Sequence, residues 1–150
     1  MTRQHLPSGS LEDLLFVRVL KIADFLSQQA EQLIKPFGLT GTQYNVLRIL
    51  RGAEPDGLPC RVIADRMISR DPDMTRLLDR LEKQRLITRE RQKDDRRVIK
   101  TRITAEGMKH LKKLDQPIHE LHKAQFGHMS AAQLKQLGEL LQQVGLRESD

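Results

Sequence analysis

Between Ser10 and about Lys35, Leu11, Leu14, Leu15, Val19, Ile22, Phe25, Leu26, Leu33 and Ile34 recur at helical spacing, and Pro36 with Gly38 ends the run. The pattern predicts a long first helix. Thr40 and Gln43 stand at capping-box spacing, so the hydroxyl takes an orphan N–H while the amide reaches back; Tyr44, Leu47 and Leu50 then form the stripe of a second helix ending near Gly52. Glu54-Pro-Asp-Gly57 reads as a turn, and Val62, Ile63 and Met67 support a short third helix opened by Pro59. After another tight turn, Asp71 offers an N-cap carboxylate and Pro72 fits the first helical position. Met74, Leu77, Leu78 and Leu81, at i, i+3, i+4 and i+7, mark the buried face of a fourth helix.

The periodicity then changes from helical to alternating. Leu86, Thr88 and Glu90, then Val98, Lys100 and Arg102, lie in two β-type runs, with Ile87, Arg89, Ile99, Thr101 and Ile103 on the alternate positions. Between the runs lies the polar tip Gln92-Lys-Asp-Asp-Arg-Arg97. Two helices with a short turn between them read as a helix-turn-helix, and a hairpin directly after it reads as a wing. Thr104 caps a fifth helix carrying Met108, Leu111, Leu114, Ile118 and Leu121, which Pro117 is expected to bend. Ser130 with Gln133 repeats the capping-box spacing before a last helix of Leu134, Leu137, Leu141 and Val144. The predicted fold is mainly α with a small β-hairpin wing.

The length of 150 residues fits one domain. With 38% hydrophobic and 31% charged residues the chain is polar yet able to build a core, which excludes disorder for most of it. The longest apolar run, Leu14 to Val17, is far short of the ~18 residues of a membrane span, and no basic leader with a cleavage site precedes Leu11. The expectation is a cytoplasmic protein with no membrane partner. A single cysteine, Cys60, fits a reducing compartment. Four Phe and one Tyr are too few for base-stacking platforms on single-stranded nucleic acid, and Tyr44 and Phe16 are read as core.

Charge localises the candidate chemistry. The net charge is +6, and from Pro59 to Thr104 there are 14 Lys and Arg against 8 Asp and Glu, so the whole excess lies in the helix-turn-helix and wing. With the leucine stripe turned inward, a rotation of about 100° per residue puts Arg76, Asp79, Arg80 and Lys83 on or near the opposite face of the fourth helix, with Asp73 and Thr75 at its flanks. Such a face enters a major groove. Arg76 is the candidate for bidentate contact with guanine, Thr75 for a phosphate or a thymine methyl, and Arg80 for phosphate. Arg61 and Arg70, at the edges of the short helix and the turn, are candidates for backbone contact. At the wing, Arg91, Lys93, Arg96 and Arg97 crowd the tip, and Asp95 is placed to hold the Arg97 guanidinium and aim it into a minor groove. The bland alternative is a solvated basic face whose i,i+4 neighbours, such as Asp79 and Lys83, interact only with each other.

The string MTRLLDRLEKQRLITRERQKDDRRVIKTRIT, followed by AEG, resembles the recognition helix and wing of the multiple-antibiotic-resistance regulator (MarR) family. The hallmark is an Asp-x-Arg at the wing tip and then an apolar residue and Thr opening the next helix, occupied here by Asp95, Arg97, Ile103 and Thr104. The resemblance implies a winged helix-turn-helix homodimer that binds a pseudo-palindromic operator in double-stranded DNA and represses transcription until a small aromatic or phenolic effector releases it. It also implies one domain, 1–150, with a DNA-binding lobe at about 40–103 and dimerisation helices at about 10–36 and 104–146. Leu11, Leu14, Leu137 and Leu141 would then meet a partner copy. From spacing alone they could equally close a monomeric core.

Other chemistry finds little support. His110, His119 and His122 read as exposed histidines on a polar helix rather than zinc ligands, and neither a metal nor a cofactor is expected. No nucleophile elbow, phosphate-binding glycine loop or metalloprotease motif is present, so the chain is not expected to be an enzyme. Two readings stand beside the operator reading. One is a winged-helix module that docks on protein or RNA without reading an operator. The other is a redox-responsive regulator acting through Cys60, beside Arg61 and a helix N-terminus. No residue is singled out as effector-binding.

Overall fold

The computed structural model describes residues 9–145. The chain divides into two compact units, the first ending at Leu114 and the second starting at Asp115.

In the first unit, α1 spans Leu11–Ile34 and is closed at its start by a reciprocal cap. The Ser10 hydroxyl accepts from the Asp13 N–H at 3.2 Å, and the Asp13 carboxylate accepts from the Ser10 N–H at 3.2 Å. A 3₁₀ turn, Lys35–Phe37, follows, and Gly38 takes the left-handed conformation that reverses the chain. The capping box predicted for α2 (Gly41–Arg51) is present: Thr40 Oγ1 accepts from Gln43 N at 3.1 Å and Gln43 Oε1 from Thr40 N at 3.0 Å. The Glu31 carboxylate on α1 also accepts the Gly41 N–H at 2.8 Å, tying the start of α2 to the end of α1.

The helix-turn-helix comprises α3 (Cys60–Arg66) and α4 (Met74–Lys83). The wing is β2 (Ile87–Arg91) with β3 (Ile99–Ile103), antiparallel and in register Ile87↔Ile103, Arg89↔Thr101, Arg91↔Ile99. A third strand, β1 (Leu58–Pro59), pairs with β3 through Leu58↔Thr101, giving the sheet order β1-β3-β2. Two residues carry too little alternation to reveal that strand in the sequence. Its pairing also corrects the expectation that Pro59 opens α3 from inside: Pro59 is extended, stands at the N-cap, and the helix starts at Cys60.

One core serves both the helix-turn-helix and the wing. Val46, Leu47 and Leu50 of α2, Ile63 of α3, Leu77, Leu78 and Leu81 of α4, Ile87 and Ile103 of the wing, and Leu111 and Leu114 of α5 (Ala105–Phe126) are all buried. Thr101 is buried among them, and no buried side-chain polar atom of the described residues lacks a hydrogen-bond partner. Of the alternate set Ile87, Arg89, Ile99, Thr101 and Ile103, the structure turns Ile87, Thr101 and Ile103 inward and leaves Ile99 exposed, while Leu86, on the other set, is buried just before β2. Tyr44 is buried as expected. Phe16 is not: it is 65% exposed on α1, so the assignment of Phe16 to the core is corrected.

The second unit contains the remainder of α5 and α6 (Ala131–Gln143). The helix α5 runs through Pro117 without interruption. The Ser130 cap of α6 closes in both directions, with Gln133 N donating to Ser130 Oγ at 3.2 Å and Ser130 N to Gln133 Oε1 at 2.9 Å. Among the described residues no helix is long and apolar enough to cross a membrane.

Candidate nucleic-acid interface

The sequence places the start of α4 at Asp71 and Pro72, and the structure moves it. Asp73 is the N-cap: its Oδ1 accepts from Arg76 N at 3.1 Å, and α4 begins at Met74. Asp71 instead folds the turn before the helix, its Oδ1 accepting from Asp73 N at 2.8 Å. Both carboxylates can cap, and the one nearer the first apolar residue of the stripe does so while the other closes an Asx turn around Pro72. The same turn is held from α2, where Asn45 Oδ1 accepts the Ile68 N–H at 2.9 Å. Arg70 lies exposed between these two anchored points, and Arg61 is exposed on α3.

With Leu77, Leu78 and Leu81 buried, Thr75, Arg76, Asp79, Arg80, Glu82 and Lys83 are all exposed. Arg76 leans back on its own cap, with Nε 3.6 Å from Asp73 Oδ2, and its side chain is 71% exposed. An ion pair so open is weak and leaves most of the guanidinium edge free for another acceptor.

Asp79 and Glu82 both receive the guanidinium of Arg89, which reaches over from β2. Arg89 Nη2 lies 3.1 Å from Glu82 Oε1 and Nε 3.3 Å from Glu82 Oε2, and Nη2 also bonds Asp79. The Arg89 side chain is only 23% exposed. Its hydrogen bond to Glu82 raises its pKa above the ordinary arginine value, against a smaller opposing effect of burial. Sequence reasoning does not single out Arg89 as a site residue. The signal is nevertheless there: an arginine follows Ile87 by two, on the inward side of the strand, and the preceding helix carries carboxylates at i and i+3.

At the wing tip, Asp95, Arg96 and Arg97 are exposed, as is Lys93. The expected grip of Asp95 on the Arg97 guanidinium is replaced by a backbone one. Asp95 Oδ1 accepts the Arg97 N–H at 3.1 Å, the tight i,i+2 geometry of an Asx turn, and the Asp95 carbonyl accepts from Val98 N at 3.0 Å. The carboxylate therefore shapes the bend and leaves the guanidinium to project. Arg91, one of the expected tip cations, commits its Nη1 to the Arg96 carbonyl at 3.0 Å, bracing the turn from the strand side.

The expected dimer leucines fall in both units. Leu11 and Leu14 are exposed on α1, Leu141 is exposed on α6, and Leu137 is half-buried.

Comparison with known proteins places this winged helix-turn-helix among transcriptional regulators. The MarR family model matches residues 37–98. The crystal structure of a MarR transcription factor from Planctomyces limnophilus is 36% identical, covers 89% of this chain and 97% of that one, and superposes with a TM-score of 0.68. The chain belongs to the MarR family. The HTH-type transcriptional regulator YkoM of Bacillus subtilis is 30% identical over 113 residues, 75% of this chain and 71% of that protein. S. aureus MepR in complex with DNA shares the MarR fold, with a TM-score of 0.77 at 24% identity over 91% of this chain and 97% of that one. The protein is accordingly a DNA-binding transcriptional regulator with the MarR winged-helix fold, and not an enzyme.

Proposed function

We propose that the protein acts as a homodimeric repressor, in which two copies of one 1–150 domain read a pseudo-palindromic operator and are released from it by a small aromatic or phenolic ligand. The observation that carries the DNA reading is the outer face of α4, where Thr75, Arg76 and Arg80 are exposed opposite a buried leucine stripe. In this reading α4 lies in the major groove, with Arg76 on guanine O6 and N7, Thr75 on a phosphate or a thymine methyl, and Arg80 on phosphate. Asp73 sets the helix start, and Arg61 and Arg70 contact the backbone from α3 and the turn. Arg96 and Arg97, on the bend that Asp95 shapes, enter the flanking minor groove.

The dimer reading rests on α1. Leu11, Leu14, Leu15, Phe16, Val19, Leu20, Ile22 and Phe25 are each 41% to 76% exposed, apolar surface on α1 that a second copy would cover, together with Leu137 and Leu141 of α6. Two-fold symmetry then sets the recognition helices about 34 Å apart, one turn of duplex. Ligand release rests on the family resemblance, as linkage between a ligand site and the separation of the two α4 helices.

Selection from a random duplex library at ~150 mM salt tests the reading, because salt sets how much non-specific binding competes. Enrichment of a two-fold symmetric site supports it. Recovery of bound DNA without a motif overturns operator readout in favour of a winged-helix module that docks on protein or RNA.

A further inference from the structure

Two of the arginines in the basic lobe are already occupied by the protein itself. Arg89 on β2 is bonded to both Asp79 and Glu82 of α4. Two residues further along the same strand, Arg91 is bonded to the carbonyl of Arg96 at the wing tip. The two links run in series from the outer face of α4, through β2, to the residue preceding Arg97. Arg89 is in register with the buried Thr101, so its backbone is fixed by the sheet while its fork is fixed by the helix. The helix and the wing are also related through the polypeptide between Lys83 and Ile87, through the hydrogen bonds of Thr104 to the Arg85 and Leu86 carbonyls, and through the shared core.

We propose that Arg89, with Asp79 and Glu82, is a positioning device that sets the wing tip relative to the recognition helix, and that Arg91 extends the device to Arg97. Neither arginine contacts DNA. The inference rests on the DNA-binding reading above. A guanidinium carries two parallel donor edges, so a fork shared between carboxylates one helical turn apart fixes orientation as well as distance. Lysine carries the charge without the fork. The two carboxylates sit on the helix face that approaches a polyanion, where their negative charge opposes binding. Their presence there is accounted for by what they hold.

The carboxylates also give the test a sign. The double variant Asp79→Asn with Glu82→Gln removes two negative charges from the DNA-binding lobe, so electrostatics alone predicts tighter binding. Positioning predicts the reverse: operator affinity falls by about fivefold or more, and the Arg97→Ala penalty shrinks in the double-variant background, because a wing that is no longer held contributes less. Binding that is unchanged or tighter, with the full Arg97→Ala penalty retained, overturns the proposal. A second readout needs no DNA. In the free protein, amide hydrogen exchange along β2 and β3 is expected to rise about tenfold in the variant while α2 keeps its protection. Unchanged exchange overturns the clamp even where no operator has been selected, so failure of the clamp is separable from failure of the DNA reading. Arg89→Lys, which keeps the charge and removes the fork, is expected to show both effects in part and serves where the double variant does not fold; wild-type exchange in Arg89→Lys likewise overturns the proposal.

Discussion

The Thr104 hydroxyl donates to the Arg85 carbonyl at 2.8 Å and accepts the Gly107 N–H at 3.1 Å. One side chain thereby caps α5 and holds the end of α4, joining the residue that follows the wing to the chain that leaves the recognition helix. The arrangement is reinforced by Thr104 N donating to the Leu86 carbonyl at 3.0 Å. Thr104→Val keeps the shape and removes both side-chain bonds, so it is expected to lower unfolding free energy by about 1–2 kcal/mol, the usual loss for an N-cap. Thr104→Ser is expected to retain most of it. Urea denaturation of the two variants checks the difference.

Gly107 packs α5 against the Leu86 carbonyl and the Ile103 side chain. A Cβ there would lie 2.5 Å from the Leu86 carbonyl oxygen and 2.6 Å from Ile103 Cγ1. The carbonyl is backbone and already holds the Thr104 N–H, so it has little freedom to retreat. Gly107→Ala, favourable by helix propensity alone, is expected to destabilise by about 1–3 kcal/mol through overpacking. A rise in the urea midpoint would show that α5 shifts freely.

These two positions illustrate what the sequence discloses and what it withholds. Thr104 is legible as a cap because a hydroxyl stands before a helical stripe, yet its bond to Arg85, nineteen residues back, depends on how the wing returns the chain. Caps that close within three residues, at Thr40 and Ser130, are legible for the same reason: their partners are fixed by spacing. The choice between Asp71 and Asp73 is not fixed in that way, since each offers a carboxylate and only the turn around Pro72 decides which one meets the Arg76 N–H. The wing alternation separates Ile87, Thr101 and Ile103 from Thr88, Lys100 and Arg102 but gives no sign of β1, whose two residues gain meaning only beside β3. Asp95 stands at the tip as expected and takes a different partner, because a two-residue separation favours the backbone N–H of Arg97 over its distant guanidinium. Phe16 departs from its expected burial because helical periodicity reports that a face is apolar and is silent about whether this chain or another copy covers it.

Arg85 follows α4 in the left-handed region, φ 61°, with its N–H on the Glu82 carbonyl at 2.9 Å and Leu86 N on the Leu81 carbonyl at 3.0 Å. That is the conformation a helix C-terminus usually gives to glycine. A side chain there costs about 1–2 kcal/mol, partly offset by the greater freedom that glycine has in the unfolded chain. Arg85→Gly is therefore expected to raise stability by about 0.5–1 kcal/mol. Thermal unfolding at matched salt checks it, and a fall in midpoint would show that the arginine side chain compensates for its backbone.

Within the operator reading, the exposed cations separate by what each meets. Arg76→Ala is expected to cost about 1–3 kcal/mol of operator affinity and to relax the preference at one position of each half-site. Arg80→Ala is expected to weaken all duplexes alike and to reduce the slope of log K against log salt by about 0.9 for each phosphate it no longer neutralises. Arg97→Ala is expected to lose more on A·T-rich flanks than on G·C-rich ones, since narrow minor grooves concentrate negative potential. Titrations of each variant on two flank sequences at three salt concentrations distinguish these patterns. A uniform loss in all three variants would place Arg76 on the backbone.

The exposed apolar surface of α1 makes the sharpest demand on the dimer reading. Phe16 and Leu20 are one helical turn apart and 65% and 54% exposed, so charging both leaves the interior of the single chain untouched. Phe16→Glu with Leu20→Glu is expected to preserve the far-ultraviolet spectrum while sedimentation equilibrium shifts from dimer to monomer. Operator binding should weaken in parallel, because a monomer reaches only one half-site and forgoes the gain of linking two recognition helices one turn of duplex apart. A variant that stays dimeric would place the two-fold interface elsewhere. A monomeric variant that still binds the full site as tightly as wild type would break the link between dimerisation and operator symmetry.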